Sequence, residues 1–145
     1  MAVHQTRSII DQTREFHSRA SRYYHRLADS AQRQRVKLLL DYMSEHEKRL
    51  ANCLATYEDS APRNILDTWL QSAGTTDPAK LLEDEPLVSE ATVDQLINMG
   101  LRLSKCVIQV YQDLSMQAEP DSVRQVFANL LNLEEKALQQ FIRDA

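Results

Sequence analysis

Residue types that build turns, strands and cross-links are scarce in this sequence. It has two glycines, four prolines and two cysteines in 145 residues, and aromatic residues make up only 6%. So few glycines leave little material for β-hairpin turns and cannot supply a glycine-rich phosphate loop. The chain is instead rich in leucine, alanine, glutamine, arginine and glutamate, which favour helices. We therefore expect an all-α protein.

Cysteine spacing, hydropathy and charge exclude further classes. Cys53 and Cys106 lie in separate predicted helices with no CxxC spacing, so neither a disulfide framework nor a thiolate metal site is expected. The sequence has no apolar run typical of a signal peptide or a membrane span, which favours a cytoplasmic protein without membrane association. The net charge of −4 argues against binding of nucleic acid.

Four long segments carry apolar residues at alternating steps of three and four, which predicts four amphipathic helices. We place these helices at residues 5–29, 32–58, 90–117 and 120–143, with Ser89 as the N-cap of the third. The short joins within each pair predict antiparallel neighbours. Residues 59–89 form a crossover between the pairs. Residues 64–70 within it resemble a short amphipathic helix that could close one end or side of the bundle with Ile65, Leu66, Trp69 and Leu70. The crossover also holds an acidic stretch at residues 83–85.

The second pair of helices repeats the first at an offset of eighty-seven residues. Glu134 thereby matches Glu47, and Tyr111 matches Tyr24. We interpret the pattern as a duplicated helical hairpin, over residues 5–58 and 90–145, in one domain of residues 1–145. The four matched stripes are Ile10, Thr13, His17, Ala20, Tyr24 and Leu27; Val36, Leu40, Met43, Glu47, Leu50, Leu54 and Tyr57; Ile97, Gly100, Ser104, Val107, Tyr111 and Leu114; and Val123, Phe127, Leu130, Glu134, Ala137 and Phe141.

Two hairpins joined by a long crossover are typical of the ferritin-like four-helix bundle. The helices also carry residues that resemble the rubrerythrin branch of that superfamily. In that branch the first and third helices end in an aromatic-Tyr pair, and the second and fourth read Val-x-x-apolar-apolar-x-x-Leu-x-x-x-Glu-x-x-His. The matching residues here are Tyr23-Tyr24 and Val110-Tyr111 for the pairs, Val36 to Glu47 for the second helix, and Val123 to Glu134 for the fourth.

The resemblance implies a dimetal site with six ligands, but most of them are replaced. The family takes one Glu from each of the first and third helices, where this chain has His17 and Ser104. It takes a Glu-x-x-His from each of the other two helices, because residues i and i+3 share a helix face. Here Glu47 and Glu134 are kept, whereas Leu50 and Ala137 stand at the histidine positions. His46 and Glu135 lie off the faces of their neighbouring glutamates and do not replace the lost ligands.

The bundle brings together a buried polar cluster that comprises His17, Glu47, Ser104 and Glu134, with Tyr24 and Tyr111 beside it. Two carboxylates about 4 Å apart repel each other by roughly 4 kcal/mol at an effective dielectric constant of about 20, so this cluster needs compensation. One solution has no cofactor: one carboxyl is protonated, the other pairs with a His17 imidazolium, and Ser104 donates a hydrogen bond. The alternative is a single divalent iron, manganese or zinc ion held by Glu47, Glu134 and His17.

Two functions follow from these alternatives. The first is a non-catalytic helical protein that has lost its dimetal site and acts through its surface, as a homodimer or with a protein partner. Apolar residues outside the inner stripes, namely Val3, Ile9, Phe16, Tyr23 and Val110, favour such a covered surface. The second is a metal-dependent redox or peroxide-handling protein. Replacing one glutamate by glutamine should leave stability level or raise it in the first case, and lower it in the second.

Overall fold

A computed structural model describes residues 2–72, 78–84 and 90–145. Four long helices dominate it: α1 (Thr6–Ser30), α2 (Gln34–Ser60), α5 (Val93–Gln117) and α6 (Asp121–Asp144). The crossover between α2 and α5 contains α3 (Arg63–Leu66) and α4 (Pro78–Asp84), and a strand β2 (Trp69–Ser72) that pairs with β1 (Ala2–Gln5). No helix in the described part of the chain is both long and apolar enough to cross a membrane.

The two hairpins form as the sequence predicts, because short corners hold α1 against α2 and α5 against α6. Small residues allow the first pair to approach closely. The Ser21 hydroxyl donates to the Ser44 carbonyl oxygen at 2.8 Å, and the Ser44 hydroxyl donates to the Ser21 carbonyl oxygen at 2.8 Å. The inner stripes of the four helices make one core, in which most members, including Tyr24, Tyr111 and Phe127, are almost completely buried.

The third long helix begins later than the sequence predicts. Its N-cap is Thr92, whose hydroxyl accepts a hydrogen bond from the Gln95 amide at 3.1 Å, while the Gln95 side chain accepts one from the Thr92 amide at 2.9 Å. This reciprocal capping box satisfies two helix-end donors at once. The predicted cap, Ser89, lies outside the described residues. Ser89 and Thr92 are both residue types that favour a helix start, and they lie three residues apart. The observed helix begins after Thr92, which also has a glutamine three residues later.

The crossover differs from the single short helix expected at residues 64–70. Helix α3 ends at Leu66, and the chain then pairs as an antiparallel strand with β1, with Gln5 opposite Trp69 and His4 opposite Leu70. Leu66 and Leu70 are buried and Ile65 packs against the core, as expected, but Trp69 is 63% exposed, so its predicted part in closing the bundle is wrong. The alternation of side chains along a strand explains the difference, because neighbouring residues point to opposite faces.

The apolar residues expected on the surface are buried within the chain. Ile9, Phe16, Tyr23 and Val110 are each at most 7% exposed. They belong to α1 and α5, the two helices against which α4 packs. In α4, Leu81 and Leu82 contact the core, and Glu83 of the acidic stretch forms an ion pair with Arg19 at 3.7 Å. The side chain of Val3, and residues 85–89, lie outside the described part of the structure.

Candidate functional site

Three side chains from three helices meet in the middle of the bundle. His17 comes from α1, Glu47 from α2 and Glu134 from α6, and each is buried, with 1%, 5% and 2% of its surface exposed. The imidazole also lies edge-on to the neighbouring Phe16 ring, with 5.3 Å between ring centroids. Sequence periodicity placed all three residues on inward faces, and the structure brings them into contact.

The imidazole of His17 lies between the two carboxylates and contacts both. Its Nδ1 atom is 2.5 Å from Oε2 of Glu47, and its Nε2 atom is 2.7 Å from Oε1 of Glu134. A neutral imidazole carries one N–H, whereas an imidazolium carries two. Only the imidazolium can donate to two ionised carboxylates at once. We call this arrangement of Glu47, His17 and Glu134 the carboxylate–imidazole bridge.

Charge stabilises the imidazolium in this position. Burial alone would lower the pKa of His17, but the negative charges of Glu134 and Glu47, and the hydrogen bonds to them, outweigh burial and raise that pKa to about 10. The ring therefore carries a proton at neutral pH. The bridge then consists of a buried imidazolium between two buried carboxyl groups, with a charge-assisted hydrogen bond to each.

Ser104 is close to the bridge but does not have the predicted role. It is only half-buried, and within the described residues no hydrogen bond joins it to either carboxylate. Ser104 instead shares with Glu47 the lining of a small cavity. The cluster thus differs from the one expected, because His17 pairs with both glutamates and a donor from Ser104 is not needed.

The two matched tyrosines lie beside the bridge in different surroundings. The Tyr111 hydroxyl donates to the Thr13 hydroxyl at 2.6 Å, and Thr13 donates to the carbonyl oxygens of Ile9 and Ile10. The Tyr111 hydroxyl therefore has its partner in Thr13 on α1. Burial, and then the nearby charge of Glu134, raise the pKa of Tyr111 well above its ordinary value. Tyr24 is buried and lines the same small cavity as Glu47.

His46 is a buried residue that the sequence analysis placed off the Glu47 face. Its ring stacks on Tyr42, with centroids 5.9 Å apart, and is tilted against Phe141, with centroids 5.7 Å apart. Burial lowers the pKa of His46, which favours the neutral ring. Tyr42 precedes His46 by four residues and shares its helix face. This i, i+4 pair is the sequence feature from which the ring contact of His46 could have been predicted.

The donor set at the bridge does not fit the dimetal centre of the ferritin-like proteins. Leu50 and Ala137 stand at the two positions where the resemblance implies histidine ligands, and neither side chain can donate an electron pair. Both ring nitrogens of His17 are directed at carboxylates, so neither has a free lone pair for a metal ion. In the described ranges, no group of three or more His, Cys, Asp or Glu side chains is arranged to hold a metal ion.

Sequence comparisons give no relative for this chain: no protein-family model matches it, and neither does any curated protein. A solved structure does match. It is a protein from Thermotoga maritima described as a "putative ferritin-like diiron-carboxylate protein", with a TM-score of 0.64 and 13% sequence identity. The match covers 99% of this chain and 95% of that one. The long-crossover bundle and this structural match together show that the chain has the ferritin-like fold.

Proposed function

We propose that this protein is a non-catalytic member of the ferritin-like fold, in which the carboxylate–imidazole bridge takes the place of a dimetal centre. It would act through its surface, as an oligomerising or protein-interaction module. The observation that carries the proposal is the pair of contacts from the two ring nitrogens of His17 to Glu47 and Glu134, at 2.5 and 2.7 Å. The His17 ring lies between the two glutamates that the resemblance marks as metal ligands, and its raised pKa favours the protonated form.

The bridge solves an electrostatic problem without a metal ion. Desolvating two carboxylates costs several kcal/mol for each ion, and a buried pair is tolerated when opposite charge and hydrogen bonds compensate. The imidazolium supplies both, because one planar ring donates on two sides. A dimetal centre requires a larger set of neutral and anionic donors. Two of the expected donor positions are occupied by Leu50 and Ala137, which have no donor atom. The remaining residues are sufficient for the bridge.

The alternative function is a metal-dependent redox or peroxide-handling protein with a single ion at Glu47, Glu134 and His17. The description of the structural neighbour as a diiron-carboxylate protein favours it. An ion at these three residues would require His17 to lose its proton and to release one carboxylate. Metal binding and proton binding would then compete for the same imidazole.

Metal content separates the two functions. We expect protein purified without added metal to contain no stoichiometric iron, manganese or zinc, and a chelator to leave its melting temperature unchanged, because no donor of the bridge is free. Elemental analysis measures the first quantity and a thermal scan the second. A double variant, Glu47→Gln with Glu134→Gln, controls for metal bound at the surface. One or two ions per chain in the wild type, absent from the double variant, would contradict the proposal.

The bridge also predicts how stability depends on pH. The pKa of His17 is raised in the folded state, from 6.5 to about 10, so its stabilising effect is complete below pH 6.5 and is lost as the pH rises toward 10. We expect the free energy of unfolding to fall by several kcal/mol across this range, since each pKa unit corresponds to more than about 1 kcal/mol. Denaturant unfolding at several pH values measures it.

His25 provides the matched control for this pH dependence, because its side chain is exposed on the same helix. His17→Gln should flatten the profile between pH 6.5 and 10, whereas His25→Gln should leave the wild-type slope unchanged. A wild-type profile that is flat over this range would show that His17 is not the charged centre of the bridge.

The position of His17 between the glutamates changes the expected effect of a Glu→Gln replacement on the stability of a metal-free protein, from level or raised to lowered. The carboxylates lie on opposite sides of the imidazolium, so each is closer to the cation than to the other anion. Removing one charge therefore loses more attraction than repulsion. We expect Glu134→Gln and Glu47→Gln each to destabilise the fold by about 1–3 kcal/mol near neutral pH, and chelator to have no effect on either variant. Glu135→Gln, one residue away and exposed, is the control. A level or raised melting temperature in both bridge variants would contradict this account.

Self-association is the part of the proposal that concerns the surface. Among the described residues, Leu38, Trp69, Met116 and Ile142 are large apolar side chains that remain more than half exposed. We expect a homodimer that covers some of them, with twice the chain mass of 16.7 kDa. Light scattering over a wide concentration range measures that mass. A constant monomer mass would leave a heterologous protein partner as the only form of the surface proposal.

A further inference from the structure

A second cavity lies at one end of the bundle, away from the carboxylate–imidazole bridge. It opens where the corner from α1 to α2 faces the start of α5, and its volume is about 260 Å³. Close-packed protein interiors contain few voids larger than a water molecule, so an opening of this size is a candidate binding site. It is lined by Leu27, Ala31, Gln32, Arg33, Val36, Leu40, Glu90, Ala91, Thr92 and Leu96.

The inner part of this end cavity is apolar. Leu27, Val36, Leu40 and Leu96 line it, and each of these side chains is at least nine-tenths buried. They come from α1, α2 and α5, so the wall is built on rigid helices. An apolar wall around a cavity of this volume favours binding of a hydrocarbon group of a few carbon atoms, because binding removes that group from water.

The rim of the end cavity carries one charge of each sign. Arg33 and Glu90 both line it and are both exposed, yet in the described part of the chain neither forms an ion pair with the other or with a third residue. The Thr92 hydroxyl, which also lines the cavity, already accepts a hydrogen bond from the Gln95 amide within the capping box. The charged groups on the rim are a guanidinium and a carboxylate.

We propose that the end cavity binds a small zwitterion with an apolar side chain, of the class of the branched-chain α-amino acids. A cavity of this volume is about 8 Å across as a sphere, so adjacent ammonium and carboxylate groups can reach both charges on its rim. Arg33 would pair with the ligand carboxylate through its planar fork, and Glu90 with the ammonium group. The hydrocarbon part would contact Leu27 and Leu96. The bridge residues do not line this cavity, so the proposal stands independently of the proposed function.

Three probes of the same hydrocarbon shape test the charge requirement. They are L-leucine, 4-methylpentanoate, which lacks the ammonium group, and 3-methylbutylamine, which lacks the carboxylate. In a methyl NMR titration of the full chain, L-leucine should shift the Leu27 and Leu96 signals saturably at millimolar concentration, and each single-charge probe should bind about tenfold more weakly. No saturable shift with L-leucine, or equal binding of a single-charge probe, would overturn the proposal.

Variants at the rim test the residues themselves. Arg33→Gln and Glu90→Gln should each weaken L-leucine binding about tenfold, because each removes one charged partner. Arg35→Gln is the matched control, since Arg35 is an exposed arginine two residues along the chain that does not line the cavity. Wild-type affinity in both rim variants, or an equal loss in Arg35→Gln, would also overturn the proposal. Arg33 and Glu90 are both exposed, so neither rim substitution should affect the fold.

Discussion

Two carboxylates in the middle of a helical bundle need positive charge beside them, and the packing around Glu47 and Glu134 depends on that charge. His17 supplies it with a single ring that contacts both. Each of the three residues is on a different long helix, so the bridge also joins α1, α2 and α6 across the core. Without the imidazolium, two desolvated carboxylates would remain inside the bundle, at a cost of several kcal/mol for each ion.

The two hairpins differ at this point, and the difference is informative. At the sequence offset of eighty-seven residues Glu47 matches Glu134, but His17 on α1 matches Ser104 on α5. His17 is fully buried and contacts both carboxylates, whereas Ser104 is half-buried at the edge of a small cavity. A single histidine in one hairpin thus compensates a glutamate from each hairpin. This asymmetry is expected of a charge bridge, whereas a dimetal centre takes equivalent ligands from both halves.

Much of the architecture could be predicted because helix periodicity reports burial directly. The stripes around Glu47 and Glu134 lie inward as predicted, and the long crossover indicated the bundle topology that the structural match confirms. The strand in the crossover could not be predicted, because the residues around Trp69 pair with β1 at the start of the chain. A single sequence carries no signal for the register of such a distant strand pair. Likewise, periodicity placed His17 near two glutamates but could not show that its ring lies between them.

The protonation state of His17 is the centre of this account, and nitrogen NMR reports it directly. In protein labelled with ¹⁵N at histidine, a long-range proton–nitrogen spectrum at pH 8 distinguishes an imidazolium from either neutral tautomer. We predict that both ring nitrogens of His17 carry a proton at this pH and give the similar chemical shifts of an imidazolium. A neutral His17 ring with one unprotonated nitrogen, or a nitrogen whose signal shifts on removal of metal, would contradict the carboxylate–imidazole bridge.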